Sequence, residues 1–199
     1  AHTTDSLSDD YRAVMWTNDG WVPINRYYND DSVATDVNDA GNVVGWFDAG
    51  LHEDYAENPA LIPDSESNSR AFLWKKDKEE DGWLNLGALG GGSQAYAINN
   101  SDQVVGTSNG SAFIYTENTG MMDLNHSLPN DSDWLLQVAY DINDEGLIIG
   151  WGTINQQRRL FLLTPQDEQH PVDITLQQDQ QHPQHPLPDT PVTLWSTID

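Results

Sequence analysis

Ala34-Thr-Asp-Val-Asn38-Asp-Ala-Gly41-Asn-Val-Val-Gly45-Trp46 is a phrase that this chain repeats. It returns as Ala95-Tyr-Ala-Ile-Asn99-Asn-Ser-Asp102-Gln-Val-Val-Gly106-Thr107 and again as Ala139-Tyr-Asp-Ile-Asn143-Asp-Glu-Gly146-Leu-Ile-Ile-Gly150-Trp151. In every copy an Asn precedes a Gly by seven residues, with β-branched residues on either side of a polar turn. Self-similarity of this kind marks a repeat architecture, in which one supersecondary unit buries its apolar face against the next.

Working outward, each phrase is preceded by an aromatic-aliphatic run: Ala13-Val-Met-Trp16, Ala71-Phe-Leu-Trp74 and Ala112-Phe-Ile-Tyr115. A fourth run, Leu160-Phe-Leu-Leu163, has no complete unit after it. Between run and phrase lies a Gly-led, half-apolar stretch: Gly20-Trp-Val-Pro-Ile-Asn25, Gly82-Trp-Leu-Asn-Leu-Gly87 or Gly120-Met-Met-Asp-Leu-Asn125. These are four strand candidates per unit, punctuated by Asn, Asp and Gly. Their short connections predict antiparallel neighbours. Asn-Asp-Ala-Gly and Asn-Asp-Glu-Gly suit tight hairpins, because these residues tolerate positive φ. The closing glycines, Gly45, Gly106 and Gly150, predict a bulge or a close approach between sheets. No segment carries a 3.6-residue apolar period over helical length.

The expected fold is all-β, with repeated four-stranded antiparallel units in a propeller-like packing. A trefoil-like or prism-like closure of three units is the alternative, with the run at 160–163 closing onto the first unit. The units span about residues 11–48, 70–110 and 111–157 of a domain at 11–165, with a closing strand at 158–165.

The second unit, with Ala71-Phe-Leu-Trp74, Gly82-Trp-Leu-Asn-Leu-Gly-Ala-Leu-Gly-Gly-Gly-Ser93, Ala97-Ile-Asn99 and Val104-Val-Gly106, resembles the bacterial extracellular HAF repeat. Units one and three match in their strands but lack the Leu89-Gly-Gly91 loop. The resemblance covers about residues 11–165 and implies a bacterial, exported β-repeat protein. It brings no catalytic residue to any position of this chain.

Composition sets further bounds. Thirty-two acidic against eight basic residues give a formal net charge of −24. That excludes nucleic acid and anionic membrane as partners, since phosphate binding needs basic patches. It fits a marine or otherwise saline setting, where screening relieves self-repulsion. No Cys is present, so neither disulfides nor thiol chemistry are available. There is no apolar run long enough to span a membrane as a helix, and a first residue of Ala rather than Met fits a processed, exported chain.

Residues 1–10 read as a polar leader and 49–69 as a long insertion. Residues 166–188 are a Gln/His/Pro-rich linker. The alternating apolar pattern returns in Val172-Asp-Ile-Thr-Leu176 and in the segment 189–199. That last segment, with Val192, Leu194, Trp195 and Ile198, predicts a strand. It either folds back onto its own domain or adds to an exposed edge of a neighbouring copy, which repeated would give a filament.

Candidate chemistry is sparse. Asp36 with Asn38, and Asp141 with Asn143, resemble the opening of a calcium loop, but Phe47 and Gly152 stand where its closing carboxylate belongs. Hairpin turns are the preferred reading, so no cofactor is expected. His170, His182 and His185 lie in the linker without a scaffold for metal. There is no nucleophile elbow, and Gly90-Gly-Gly-Ser93 lacks the Lys of a phosphate loop. Of eight tryptophans, Trp16 and Trp74, Trp21 and Trp83, and Trp46 and Trp151 recur at matching positions, which predicts core packing. Trp134 and Trp195 lack equivalents and are the exposed candidates, Trp134 for a polysaccharide. The expectation is a non-catalytic, extracellular or cell-surface structural protein that self-associates, with glycan binding as the alternative.

Overall fold

The computed structural model describes residues 13–18, 20–24, 32–48 and 69–165. Among them are thirteen strands, two short 3₁₀ turns and no α-helix, so the protein is all-β. The first sheet pairs β1 (Val14–Thr17) with β2 (Gly20–Pro23). The second is ordered β3 (Ser32–Val37), β4 (Val43–Asp48), β5 (Ser69–Trp74), β6 (Trp83–Gly87). The third is β7 (Ser93–Ile98), β8 (Val104–Ser108), β9 (Ser111–Thr116), β10 (Gly120–Asp123). The fourth is β11 (Trp134–Ile142), β12 (Ile148–Ile154), β13 (Gln157–Leu163). Every pairing is antiparallel and joins strands consecutive in the chain. The described residues form no closed barrel or propeller.

The sheets are phased half a unit from the sequence repeat. The second and third each begin with the Ala-x-x-Ile/Val-Asn strand, continue through Val-Val-Gly and the aromatic-aliphatic run, and end on the Gly-led strand. Among the described residues the first holds only the last two of these strands and the fourth only the first three. The unit read as 11–48 is therefore split between two sheets. The run at 160–163 does not close onto the first unit: β13 pairs with β12 as the third strand of the last sheet.

Alternation along each strand gives every middle sheet two apolar faces, and the sheets stack through them. Val43, Phe47, Phe72 and Trp74 of the second sheet pack against Ala13 and Ile24 beside the first. The opposite face, with Val44, Ala71, Leu73 and Leu86, meets Ala95, Ile98, Val104, Phe113 and Tyr115 of the third sheet. The third sheet's other face, with Ala97, Val105, Ala112 and Ile114, meets Leu136, Ala139, Ile142, Ile148 and Phe161 of the fourth. Each large side chain buried in these layers stabilises the stack by about 1.5–3 kcal/mol.

The closing glycines sit opposite bulges. Register slips between Ala34 and Asp36, between Ala95 and Ala97 and between Ala139 and Asp141. A β-carbon on Gly45, Gly106 or Gly150 would overlap the carbonyl of Val33, Gln94 or Val138 on the bulged strand. It would also crowd the ring of Phe72, Phe113 or Phe161, the cross-strand partner on the other side. The close approach is thus between strands of one sheet, not between sheets. The glycine makes room for the bulge, and the phenylalanine covers the gap.

Candidate functional site

The repeated Asn organises its own turn and then reaches across to the next sheet. Within the turn, the side-chain oxygens of Asn38, Asn99 and Asn143 accept from the backbone N–H of Asn42, Gln103 and Leu147 at 3.0, 3.0 and 2.8 Å. The N–H of Gly41, Asp102 and Gly146 donates back to the Asn carbonyl at 2.9, 3.1 and 3.0 Å. Those three residues carry positive φ, at 82°, 57° and 78°. Across the junctions, the Asn38 amide donates to the Asn99 carbonyl at 3.1 Å, and the Asn99 amide to the Asn143 carbonyl at 3.0 Å. Among the described residues no further copy follows Asn143, and its amide turns to Glu145 of its own loop.

A second line runs parallel on the surface. Asn100 donates to Asp39 at 2.9 Å and to Asp144 at 2.8 Å, while its backbone N–H also donates to Asp144 at 2.8 Å. Those two bonds from Asn100 hold the Asp144 carboxyl below the ordinary aspartate range.

Asp102 replaces the turn glycine and binds the first junction. Its carboxylate accepts from Asn38 and Asn42, each at 2.8 Å, and pairs with the Lys75 ammonium at 3.2 Å. Burial pushes its carboxyl up, but the amides of Asn42 and Asn38 with Lys75 together hold it below the ordinary value. Lys75 also contacts Glu117 at 3.1 Å; against the opposing effect of burial, the two carboxylates raise its pKa.

Serines at the head of β3 and β7 add a link that the sequence reading missed. Ser32 accepts from the N–H of Ala13 at 3.0 Å, and Ser93 from that of Ala71 at 2.9 Å. Each ties the aromatic-aliphatic run of one sheet to the first strand of the next. The signal was present, since both serines stand two residues before the Ala of the repeated phrase. At the last junction Gln137 holds that place, and Thr107 donates to its carbonyl at 2.8 Å instead. The side-chain amide of Asn125 also pairs with the backbone of Leu136, at 2.7 and 2.9 Å, as a strand would.

The four residues weighed as calcium ligands are engaged in the fold. Asp36 accepts from the N–H of Val37 at 2.8 Å and of Ile98 at 2.9 Å, and Asp141 from that of Ile142 at 2.9 Å. Asn38 and Asn143 hold their turns. Among the described residues no three His, Cys, Asp or Glu side chains converge as a metal site, and no helix is long and apolar enough to cross a membrane.

The tryptophans depart from the expected core. Trp74 is buried, and Trp83 stacks on Phe72 at 5.9 Å between ring centroids. Trp16 and Trp21, paired directly across β1 and β2, are 76% and 60% exposed. They face away from the stack, where no earlier sheet lies among the described residues. Trp134 is half-buried and packs on the last cluster, so it is not the free aromatic that its acidic loop implied. At the far end Tyr140 lies 5.9 Å from Tyr96, accepts from the Trp151 indole at 3.1 Å, and Arg158 covers Trp151 at 4.0 Å. Trp195, Val192, Leu194, Ile198 and the three linker histidines lie outside the described residues.

No family model matches this chain, no curated protein matches it, and no solved structure matches its fold.

Proposed function

We propose that this chain is a non-catalytic structural protein of the bacterial cell surface or extracellular space, built as a propeller-like succession of sheets and associating with copies of itself. The observation that carries this reading is the use made of the polar repeat residues. Asn38, Asn99, Asp36, Asn100 and Asp102 each hold a turn or bridge two sheets. They are spent on the turns and the stack. The resemblance to the HAF repeat supports export, and the acidic composition supports a saline setting. The segment 189–199 is one route to self-association by strand addition. Light scattering behind size-exclusion chromatography, with electron microscopy of the same sample, tests the reading. Species larger than 22.2 kDa are expected, and a monomer at every concentration overturns it.

A second reading rests on the exposed pair Trp16 and Trp21, neighbouring aromatic faces of the kind that stack on sugar rings. Quenching or shift of tryptophan fluorescence by polysaccharide, lost in Trp16→Ala, is its expected signature.

A further inference from the structure

Within the stack one kind of junction recurs at the three sheet interfaces, and its two halves are also left open at the ends of the described body. The leading half is Val44, Ala71 and Leu73 on the second sheet, and Val105, Ala112 and Ile114 on the third. These are 0–7% exposed. The matching positions on the fourth sheet are Ile149, Leu160 and Leu162, by their place after the repeated Asn and in the aromatic-aliphatic run. Ile149 is 49% and Leu160 76% exposed. The trailing half includes the outer pair Phe72 and Trp74, or Phe113 and Tyr115, at 0%, 8%, 0% and 9%. Their equivalents on the first sheet are Val14 and Trp16, at 39% and 76%, beside Trp21 at 60%.

We infer that these two open faces are mating halves of one contact, and that the occupant of the fourth sheet's face is the first sheet of a second copy of this chain. The inference rests on the self-association proposed above and names its surface. Three features of the ends argue for it. First, the halves that meet inside the molecule are those left exposed outside it, so the complement of each end is already part of this chain. Second, among the described residues the first sheet presents strands equivalent to β5 and β6 without the inner pair equivalent to β3 and β4. The fourth sheet matches that lack. Where Ala71 and Ala112 keep space for Ala95 and Ala139 of an inner strand, it carries Leu160, whose extra bulk fills the room such a strand would take. Third, Asn143 turns its amide to Glu145 instead of offering it to a following turn, which closes the inner side and leaves the outer apolar strip open. A contact between different faces of identical chains does not close in pairs, so repetition yields a filament or a ring. Trp16 and Trp21 are its anchors, aromatic residues being those that dominate such contacts.

Two full-chain variants test this. One carries Trp16→Glu with Trp21→Glu, the other Ile149→Asp with Leu160→Glu. All four positions are exposed, so circular dichroism and melting should match the parent. Each variant alone should run at the 22.2 kDa of a monomer where the parent is larger. Mixed in equal amounts they should form a dimer and nothing beyond it, since one intact half survives on each. A parent lacking residues 189–199 should still assemble. The inference is overturned if either variant assembles as the parent does, if the mixture stays monomeric, or if only the deletion abolishes assembly, which would assign the contact to the C-terminal segment. A monomeric parent whose tryptophan fluorescence responds to polysaccharide would overturn it in favour of glycan binding. An assembled parent with indifferent variants defeats this surface alone and leaves the self-association reading standing.

Discussion

Asp102 sits at a φ of 57°, in a place where the other two turns put glycine. An L-residue in that conformation is strained, Asp and Asn least among them, and the strain is offset by what the carboxylate holds: Asn38, Asn42 and Lys75. Its pKa is lowered from 3.8 despite burial. A depressed carboxyl contributes stability that is present above the unfolded value and lost as pH falls through the folded one. Urea unfolding should therefore show Asp102→Asn costing about 1–3 kcal/mol at neutral pH, with the difference from the parent shrinking as pH drops below that 3.8. Asp102→Ala should cost more than Asp102→Asn, because alanine tolerates positive φ less well. Asn99 offers a companion test. It is 3% exposed and its side chain bridges two sheets, whereas Asn143 is exposed and its side-chain amide stays within its own loop. Asn99→Ala should cost about 1–3 kcal/mol, since it removes a buried side chain together with its bonds inside the turn and to the next sheet, and Asn143→Ala clearly less. Equivalent letters in a repeat are not equivalent in energy.

At the scale of the strand, glycine, bulge and phenylalanine act as one device. Gly106→Ala would drive a methyl into the Gln94 carbonyl and the Phe113 ring, so the bulge or the ring must move, at about 1–3 kcal/mol. Phe113→Ala opens a cavity where the ring is fully buried and should cost about 3–5 kcal/mol. Because both changes disturb one contact, the double variant should lose less than the two losses added, which a double-mutant cycle by thermal melting would check. The bulge was legible in the spaced glycines, and the antiparallel hairpins in the Asn-Asp-x-Gly turns. The phase of the sheets was not. A cyclic order of four strands reads the same from any starting strand, and only pairing across β4 and β5, over the long 49–68 connection, fixes where a sheet begins. Tryptophan burial was illegible for a related reason. Trp16 and Trp74 share a sequence position, but among the described residues only Trp74 has a sheet in front of it. The site was legible to the same extent: the Asn positions were visible, whereas Asp102 and Ser93 act through partners 60 and 22 residues away.

For the whole molecule, a formal charge of −24 opposes bringing two copies together, while the faces proposed to meet are apolar. The two effects respond to salt in the same direction. Between about 0.1 M and 1 M ionic strength the screening length falls from roughly 10 to 3 Å, which removes most of the repulsion between copies, and chloride or sulfate salts do not weaken apolar contact. Sulfate strengthens it. Mass by light scattering should therefore rise with sodium chloride and rise further with sodium sulfate at equal ionic strength. If added salt instead dissolved the assemblies, the contact would be ionic, and the lysines and arginines, only eight in the chain, would have to be its anchors. Trp16→Ala with Trp21→Ala would separate these cases, because it adds no charge: an ionic joint tolerates the loss of two aromatic side chains and an apolar one does not.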